Sequence, residues 1–267
     1  MAMGDAKRQP QVIEVGDGAA IPLKSDVGLF TAWRVAFLGA IAALAYLALT
    51  QPEPYLRILL FVPDGILVTF EVTMASILLA LVIGLFTGLG RLAKNRLVNG
   101  IASLYVEVIR GIPLLVQIFY IYYALGRIVR IPDLYSAVIA MAVCYGAYMG
   151  EIFRAGIQSI PRGQMEAARS LGMTHAQAMR HIIIPQAFKV VLPPIGNEFI
   201  ALLKDSSLVS ILAVSDLLRR GREFASESFT YFETYTVVAL IYLALTLFFS
   251  KLIGHMEERL GVDKRAA

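Results

Sequence analysis

Five ionisable residues lie within long apolar runs of the sequence: Glu71, Glu107, Arg110, Glu198 and Asp205. A charge held at mid-bilayer costs about 2.5–3.5 kcal/mol on the insertion scale, so each is a candidate for handling something that crosses. Glu198 and Asp205 are seven residues apart, which puts them on one helical face about 10 Å apart along the axis. Asn197, Ala201 and Ser206 border that stripe. Two carboxylates aimed at a cavity would hold an ammonium or guanidinium group. The competing reading pairs Asp205 with Lys204 or with a lysine of another chain, and lets Glu198 neutralise Arg110. Arg110 follows Glu107 at ion-pair spacing, directly before the helix breakers Gly111 and Pro113, so the two read either as a clamp beside a kink or as part of the site. Gln117, seven residues on from Arg110, projects from the same face toward a pore. All of this is binding chemistry. His175, His181 and His255 form no HExxH or similar metal set, no nucleophile is paired with a base, and the Gly-Lys of a P-loop never occurs. No metal, bound cofactor or catalytic residue is therefore expected. The single cysteine, Cys144, excludes an intrachain disulfide and reads as space filling.

The elements that carry these residues are membrane spans. The 267 residues are 58% hydrophobic and only 16% charged, with a mean hydropathy of +0.68, which is membrane-protein composition. A spanning helix needs about 20 apolar residues, and six windows qualify: Trp33 to Thr50, Gly65 to Gly90, Ile101 to Gly126, Leu134 to Phe153, Val190 to Val214 and Tyr235 to Gly254. They are too long for barrel strands and alternate weakly, so the fold class is an all-α polytopic membrane protein with six transmembrane helices. Gly84, Gly88 and Gly90 give a small-xxx-small pattern suited to close helix contact. Residues 1–32 are a polar, mixed-charge arm without apolar periodicity, wrong for a cleaved leader.

Orientation follows from Lys and Arg. With the N-terminus inside, sixteen of the 24 fall on the cytoplasmic side, six fall outside, and Arg110 and Lys204 lie within spans. Both termini are then cytoplasmic. The net charge of +4 reflects this bias and is no sign of nucleic-acid binding. Glu71 falls near the outer end of its span, within reach of water, and the aromatics Phe119, Tyr120, Tyr122 and Tyr123 form an outer interfacial belt. Between the last two spans, SDLLRRGREFASESFTYF (Ser215 to Phe232) opens on a Ser215 cap and is expected to lie flat at the outer surface.

One polar segment remains on the cytoplasmic side. EAARSLGMTHAQAMRHIIIPQA (Glu166 to Ala187) reads as two short amphipathic helices joined at Gly172, the second capped by Thr174 and closed by Pro185. Ala167, Ala168 and Leu171, then Ala178 and Ile182, supply apolar faces; Glu166, Arg169, Arg180 and His181 supply polar ones. Helices this short need a surface, and physics alone leaves lipid headgroups and a cytoplasmic protein as equal choices.

A resemblance discriminates. Glu166, Ala167, Ala168, Gly172, Ile182 and Pro185 match the EAA pattern that marks permease subunits of bacterial ABC importers, with Ile184 where leucine is usual. GIQSIPRGQMEAARSLGM (Gly156 to Met173), EVIRGIPLLVQIFYIYYAL (Glu107 to Leu125) and LPPIGNEFIALLKDSSLVS (Leu192 to Ser210) resemble the polar amino-acid branch, with Ile112 in RGIP where RGTP is usual. The resemblance covers roughly residues 65–260. It implies a five-span core at 65–254 with coupling helices at 160–185, an additional span at 33–50, and a cytoplasmic tail at 255–267. The added span returns the N-terminus to the cytoplasm, in agreement with the charge count.

The resemblance further implies a transport subunit of the bacterial inner membrane that moves polar amino acids into the cell, with Glu198, Asp205, Asn197, Gln117 and Arg110 as candidate substrate contacts. Its coupling residues would be Glu166, Ala167, Ala168, Arg169 and Gly172. The implied partners are a cytoplasmic ABC ATPase dimer carrying ATP and Mg, a second permease chain, identical or paralogous, and an extracytoplasmic amino-acid-binding protein. In that family reading the Ser215 to Phe232 helix adds a gate and a landing site for that protein. An ion-coupled secondary carrier or a channel also suits intramembrane charges, but no inverted repeat relates the halves and the EAA segment would then have no task.

Overall fold

The computed structural model describes residues 31–128 and 131–260, with two short strands before them, β1 (Val12–Glu14) and β2 (Ala20–Pro22), paired antiparallel. The rest of the polar arm and the residues after Leu260 lie outside the described residues. From Thr31 to Leu260 the described residues form helices joined by short connections. α1 (Ala32–Thr50) begins where the Thr31 hydroxyl accepts the Arg34 N–H. α2 (Pro52–Phe61) and α3 (Pro63–Arg91) each start on a proline, whose missing N–H costs nothing in a first turn. Asn95 caps α4 (Arg96–Gly111) by accepting from Leu97 and Val98. Then Ile112 and Pro113 break the helix, and α5 (Leu114–Ile128) leaves at 111°. α6 (Asp133–Gln158) leads into α7 (Arg162–Ser170) and the single turn α8 (His175–Ala178). A π-helical turn (Met179–Ile183) joins these to α9 (Ile184–Asp205), which runs on as a 3-10 segment (Ser206–Leu212). α10 (Leu217–Ser228) and α11 (Tyr231–Leu260) complete the described chain.

Four stretches are long and apolar enough to cross a membrane: α1, α2 with α3, α6 and α11; the bent α4–α5 pair makes a fifth. The window expected from Val190 to Val214 differs. It is α9 with its 3-10 extension, and it carries Lys189, Glu198, Lys204, Asp205 and the internal prolines Pro193 and Pro194, too polar to pass on composition. The bend between α4 and α5 is likewise sharper than one continuous expected span. Two further differences concern lengths and ends. α2 occupies what reads in sequence as a loop, and α11 stays helical to Leu260 rather than ending near Gly254.

α3 and α6 are the centre of the molecule. A Cβ added at Gly88 would lie 2.8 Å from the Gly150 carbonyl oxygen, and one at Gly150 would lie 2.8 Å from the Thr87 methyl. The two helices therefore approach through glycine, as the small-residue pattern at Gly84 and Gly88 anticipates. Around them Val72, Ile77, Ala80, Met141, Met149, Leu202, Val209 and Leu212 form the main core. α1 lies against α11, the Trp33 indole N–H donating to the Leu247 carbonyl at 2.8 Å with the Lys251 ammonium 5.7 Å from the ring.

At the end remote from α7, α10 packs inward. Leu217, Gly221, Phe224 and Ala225 are buried, and Arg220 grips Asp64 with two hydrogen bonds of 3.1 and 2.6 Å while lying 4.2 Å over Phe61. That pairing holds the Arg220 guanidinium's pKa above its usual value. The expected flat surface helix is thus docked on α2 and α3. Its cap is Asp216, not Ser215: the carboxylate accepts from Leu218 and Arg219.

Candidate functional site

Two regions collect the residues singled out by sequence. The first is a cavity of about 210 Å³ between α5, α6 and α9, walled by Gln117, Tyr145, Tyr148, Glu198 and Asp205, with Cys144 and Ala201 behind. Helical spacing on α9 places Glu198 and Asp205 on one wall, as their separation of seven predicts. Tyr145, from the facing helix, donates to Asp205 Oδ2 at 2.7 Å. Glu198 experiences the charges of both Arg110 and Asp205. Arg110 sits with its guanidinium carbon 5.3 Å from the Tyr148 ring centre, a cation–π contact at the edge of the cavity. The arrangement presents negative charge framed by two aromatic rings, a setting that receives an ammonium or guanidinium group.

Several expectations resolve differently within this cavity. Glu107 and Arg110 form no ion pair, and neither do Lys204 and Asp205; Glu107, Lys204 and Glu71 are exposed. Gln117 faces the cavity but is spoken for. Its amide donates to the carbonyls of Ile109 at 2.6 Å and Ile112 at 2.7 Å, and its oxygen accepts from the Cys144 thiol at 2.8 Å. Those carbonyls are freed by the break at Pro113, so Gln117 holds the bend, and Cys144 is its partner rather than mere filling. Asn197 is exposed beside the cavity and does not line it.

The second region is the segment from α7 to α9. α7 ends in a Schellman turn: the Gly172 N–H reaches the Arg169 carbonyl at 3.0 Å, the Met173 N–H reaches that of Ala168 at 3.2 Å, and Gly172 has φ +84°. Only glycine takes that conformation without strain, which makes it the joint expected from sequence. Thr174 and Gln177 form a reciprocal capping box at the start of α8. Ala168 and Ala178 are buried, while Glu166, Ala167, Arg169 and Leu171 face outward, Leu171 with 82% of its surface exposed. Pro185 does not close the second helix. It lies in the first turn of α9, and the π turn carries the chain through into that helix without a stop.

Behind this segment, Glu151 of α6 pairs with Arg91 of α3 and with Arg154 one turn on. Gln186 reaches back from α9 to Gln164 of α7 at 3.5 Å.

Comparison with known proteins rests on the same stretch of chain. The family described as binding-protein-dependent transport system inner membrane component matches residues 76–262. The chain belongs to that family. Its members are the membrane component of such systems, not the ATPase. The chain is 39% identical over 196 residues to the L-cystine transport system permease protein TcyB of Bacillus subtilis (strain 168), covering 73% of this chain and 84% of the relative. To the glutamine transport system permease protein GlnP of Escherichia coli (strain K12) it is 35% identical over 202 residues, covering 74% and 92%. A crystal structure of an amino acid ABC transporter with histidines superposes with a TM-score of 0.72 at 42% identity, over 84% of this chain and 98% of that one. The family match begins inside α3, so α1 and α2 stand outside it. Within it fall both regions described above. Sequence reading missed Tyr145, Tyr148 and Glu151, because a tyrosine in a span reads as ordinary packing and Glu151 falls at the end of a window where water is near. Their partners, Asp205, Arg110 and Arg91, are more than 30 residues away in the chain and only the fold brings them together.

Proposed function

We propose that the chain is the permease subunit of an ATP-driven importer of polar amino acids, with basic side chains favoured. The observation that carries this reading is the pair Glu198 and Asp205 on one wall of a closed-in cavity, facing Tyr145 and Tyr148. Relatives named as cystine and glutamine permeases, and the amino acid transporter of similar structure, supply the substrate class. The carboxylates supply the preference for a second positive group on the ligand.

In this reading the spans number six, the bent α4–α5 pair and α9 each counting as one, and both termini are cytoplasmic. The antiparallel docking of Trp33 on Leu247 supports the two ends lying on one side. A second permease chain completes the pathway, and an external binding protein delivers substrate to the face that bears α10. A separate ATPase dimer, which holds ATP and Mg, docks on α7 and α8 through Glu166, Ala167, Arg169 and Leu171, the side chains left facing outward. Ala168 seats the helix on the permease itself, and Gly172 sets the angle between the two pieces. Closure of the ATPases moves this lever, which is continuous with α6 and α9, and the walls of the cavity move with them.

Reconstituted with its ATPase and binding protein in liposomes, the chain is expected to take up L-arginine with ATP and with ion gradients collapsed. Glu198→Gln should lower that uptake at least about tenfold, the loss of one charge-assisted contact, with basal ATPase activity retained. Uptake driven by a proton or sodium gradient without ATP would replace this reading with a secondary carrier. Unchanged uptake by the variant would remove Glu198 from the pathway.

A further inference from the structure

A second cavity lies in the same α5–α6 groove, at the end of α6 remote from α7. It measures about 470 Å³ and is lined by Tyr122, Tyr123, Arg127, Asp133 and Ser136, a size within the range of small-molecule sites. Three features set it apart from an incidental crevice. Arg127 and Asp133 carry opposite charges on one rim, yet among the described residues they form no ion pair with each other or with anything else. Tyr122 donates to Asp133 Oδ1 at 2.9 Å, fixing that carboxylate while leaving its second oxygen free. Ser136 is only 2% exposed, and its hydroxyl has no hydrogen-bond partner among the described residues. Since no fully buried side-chain polar atom there lacks a partner, the opening left to Ser136 is the cavity it lines.

We propose that this cavity is an outer binding site for a zwitterionic amino acid. Arg127 receives the α-carboxylate through its forked guanidinium, and Asp133, held by Tyr122, receives the α-ammonium. Ser136 supplies a further hydrogen bond at the base, and the Tyr123 ring flanks the ligand. A cation and an anion that face one space without neutralising each other suit a ligand that carries both signs a short distance apart; a simple amine or a simple anion would satisfy only half of the set. Ser136 and Tyr145 are nine residues apart on α6, about 13 Å along the axis. A ligand released from this cavity toward the molecule's interior therefore meets the Glu198 and Asp205 wall next, and the outer site serves as a staging post that selects for the amino-acid head before the inner cavity tests the side chain. The inference rests on the amino-acid reading above, and the experiment separates the two.

The test is equilibrium dialysis of radiolabelled L-arginine against the permease–ATPase complex in lipid nanodiscs, without binding protein. Two equivalents per permease chain are expected. Arg127→Gln or Asp133→Asn, both at exposed positions that leave the fold intact, should each weaken one of the two by at least about tenfold and leave the other, whereas Glu198→Gln should weaken the other alone. Agmatine, which lacks the carboxylate, should displace only the equivalent that depends on Glu198, and L-glutamine should compete at the outer site. A single equivalent in the wild type, removed by Glu198→Gln, overturns the outer site and leaves the importer reading standing. Two equivalents that ignore Arg127 and Asp133 overturn it as well. Absence of any L-arginine or L-glutamine binding overturns both readings.

Discussion

Burial pushes the Asp216 carboxyl up to about 6, against the opposing pull of the Arg219 and Leu218 N–H groups that it caps. The consequence for stability has a definite sign. A folded pKa above the unfolded one means that charging Asp216 works against the fold: there is no penalty below about pH 4, where both states are protonated, and the penalty grows until it is complete above pH 6. From 3.8 to about 6 this amounts to roughly 3 kcal/mol. Asp216→Asn keeps a good N-cap oxygen and removes the charge. The variant is expected to match wild type in detergent melts at pH 4 and to exceed it progressively up to about pH 6, with the gap constant above that; a gap that is independent of pH throughout would mean that the Asp216 carboxyl titrates alike in the folded and unfolded chain. Residues of this kind are only half legible in sequence. The cap at the start of α10 is visible as Ser215-Asp216, but which of the two turns inward depends on Thr69, whose hydroxyl accepts the Leu217 N–H from 148 positions away. Gln117 is the same case. Its face toward the cavity follows from helical spacing, whereas its bonds to Ile109, Ile112 and Cys144 depend on the bend at Pro113.

Among elements, α3 and α6 make the stiff unit and α9 the compliant one. Glycines on both of the former bring backbones together, and the ion pairs of Glu151 with Arg91 and Arg154 tie off one end. α9 instead begins on a π turn and contains Pro193 and Pro194, features that mark a bend or a hinge in a helix. The element that bears Glu198 and Asp205 is thus the one built to yield. Gly150→Val tests the stiff half. The new side chain would start 2.8 Å from the Thr87 methyl, and overpacking of that kind costs about 1–3 kcal/mol. We expect a lower melting temperature and reduced uptake together, while the same change at Gly100, which has nothing within 4 Å of an added Cβ, should leave both near wild type. Equal effects at the two positions would show that close packing of α3 on α6 is not what matters. The five long apolar stretches are legible in composition, since lipid asks only for length and apolarity. α9 reads as a span in sequence as well, but Lys189, Glu198, Lys204, Asp205, Pro193 and Pro194 set it apart from the other five, and its packing on α3, α6 and α11 is a property of the assembled bundle. α2 is missed because its buried residues, Tyr55 and Ile58, join a cluster with Leu217 and Phe224 of α10 and Val237 and Ile241 of α11, elements far along the chain.

For the molecule as a whole, the arrangement is a cavity in the middle, a latched helix at one end and the short helices α7 and α8 at the other. α10 is fastened to α2 and α3 by Arg220, Asp64 and Phe61. α7 is fastened to little: Ala168 and the Gln164 to Gln186 contact seat it, and Leu171 projects. In the proposed importer this segment is a lever, which transmits force only if its joint keeps one angle, and Gly172 at φ +84° is that joint. Valine there would have to adopt a left-handed conformation that costs a β-branched residue about 1–3 kcal/mol, or else shift Met173 and the capping box that follows. Since an added Cβ at Gly172 meets nothing within 4 Å, the bundle itself has no reason to unfold. Gly172→Val is therefore expected to leave expression, melting temperature and L-arginine binding close to wild type, while uptake per ATP hydrolysed falls severalfold in liposomes containing the ATPase and binding protein. Gly172→Asn, which tolerates the left-handed region better, should recover much of the coupling. A variant that loses binding and uptake in proportion would place Gly172 in the structure of the bundle instead. Full coupling in the valine variant would mean that the angle between α7 and α8 is not what the motor reads.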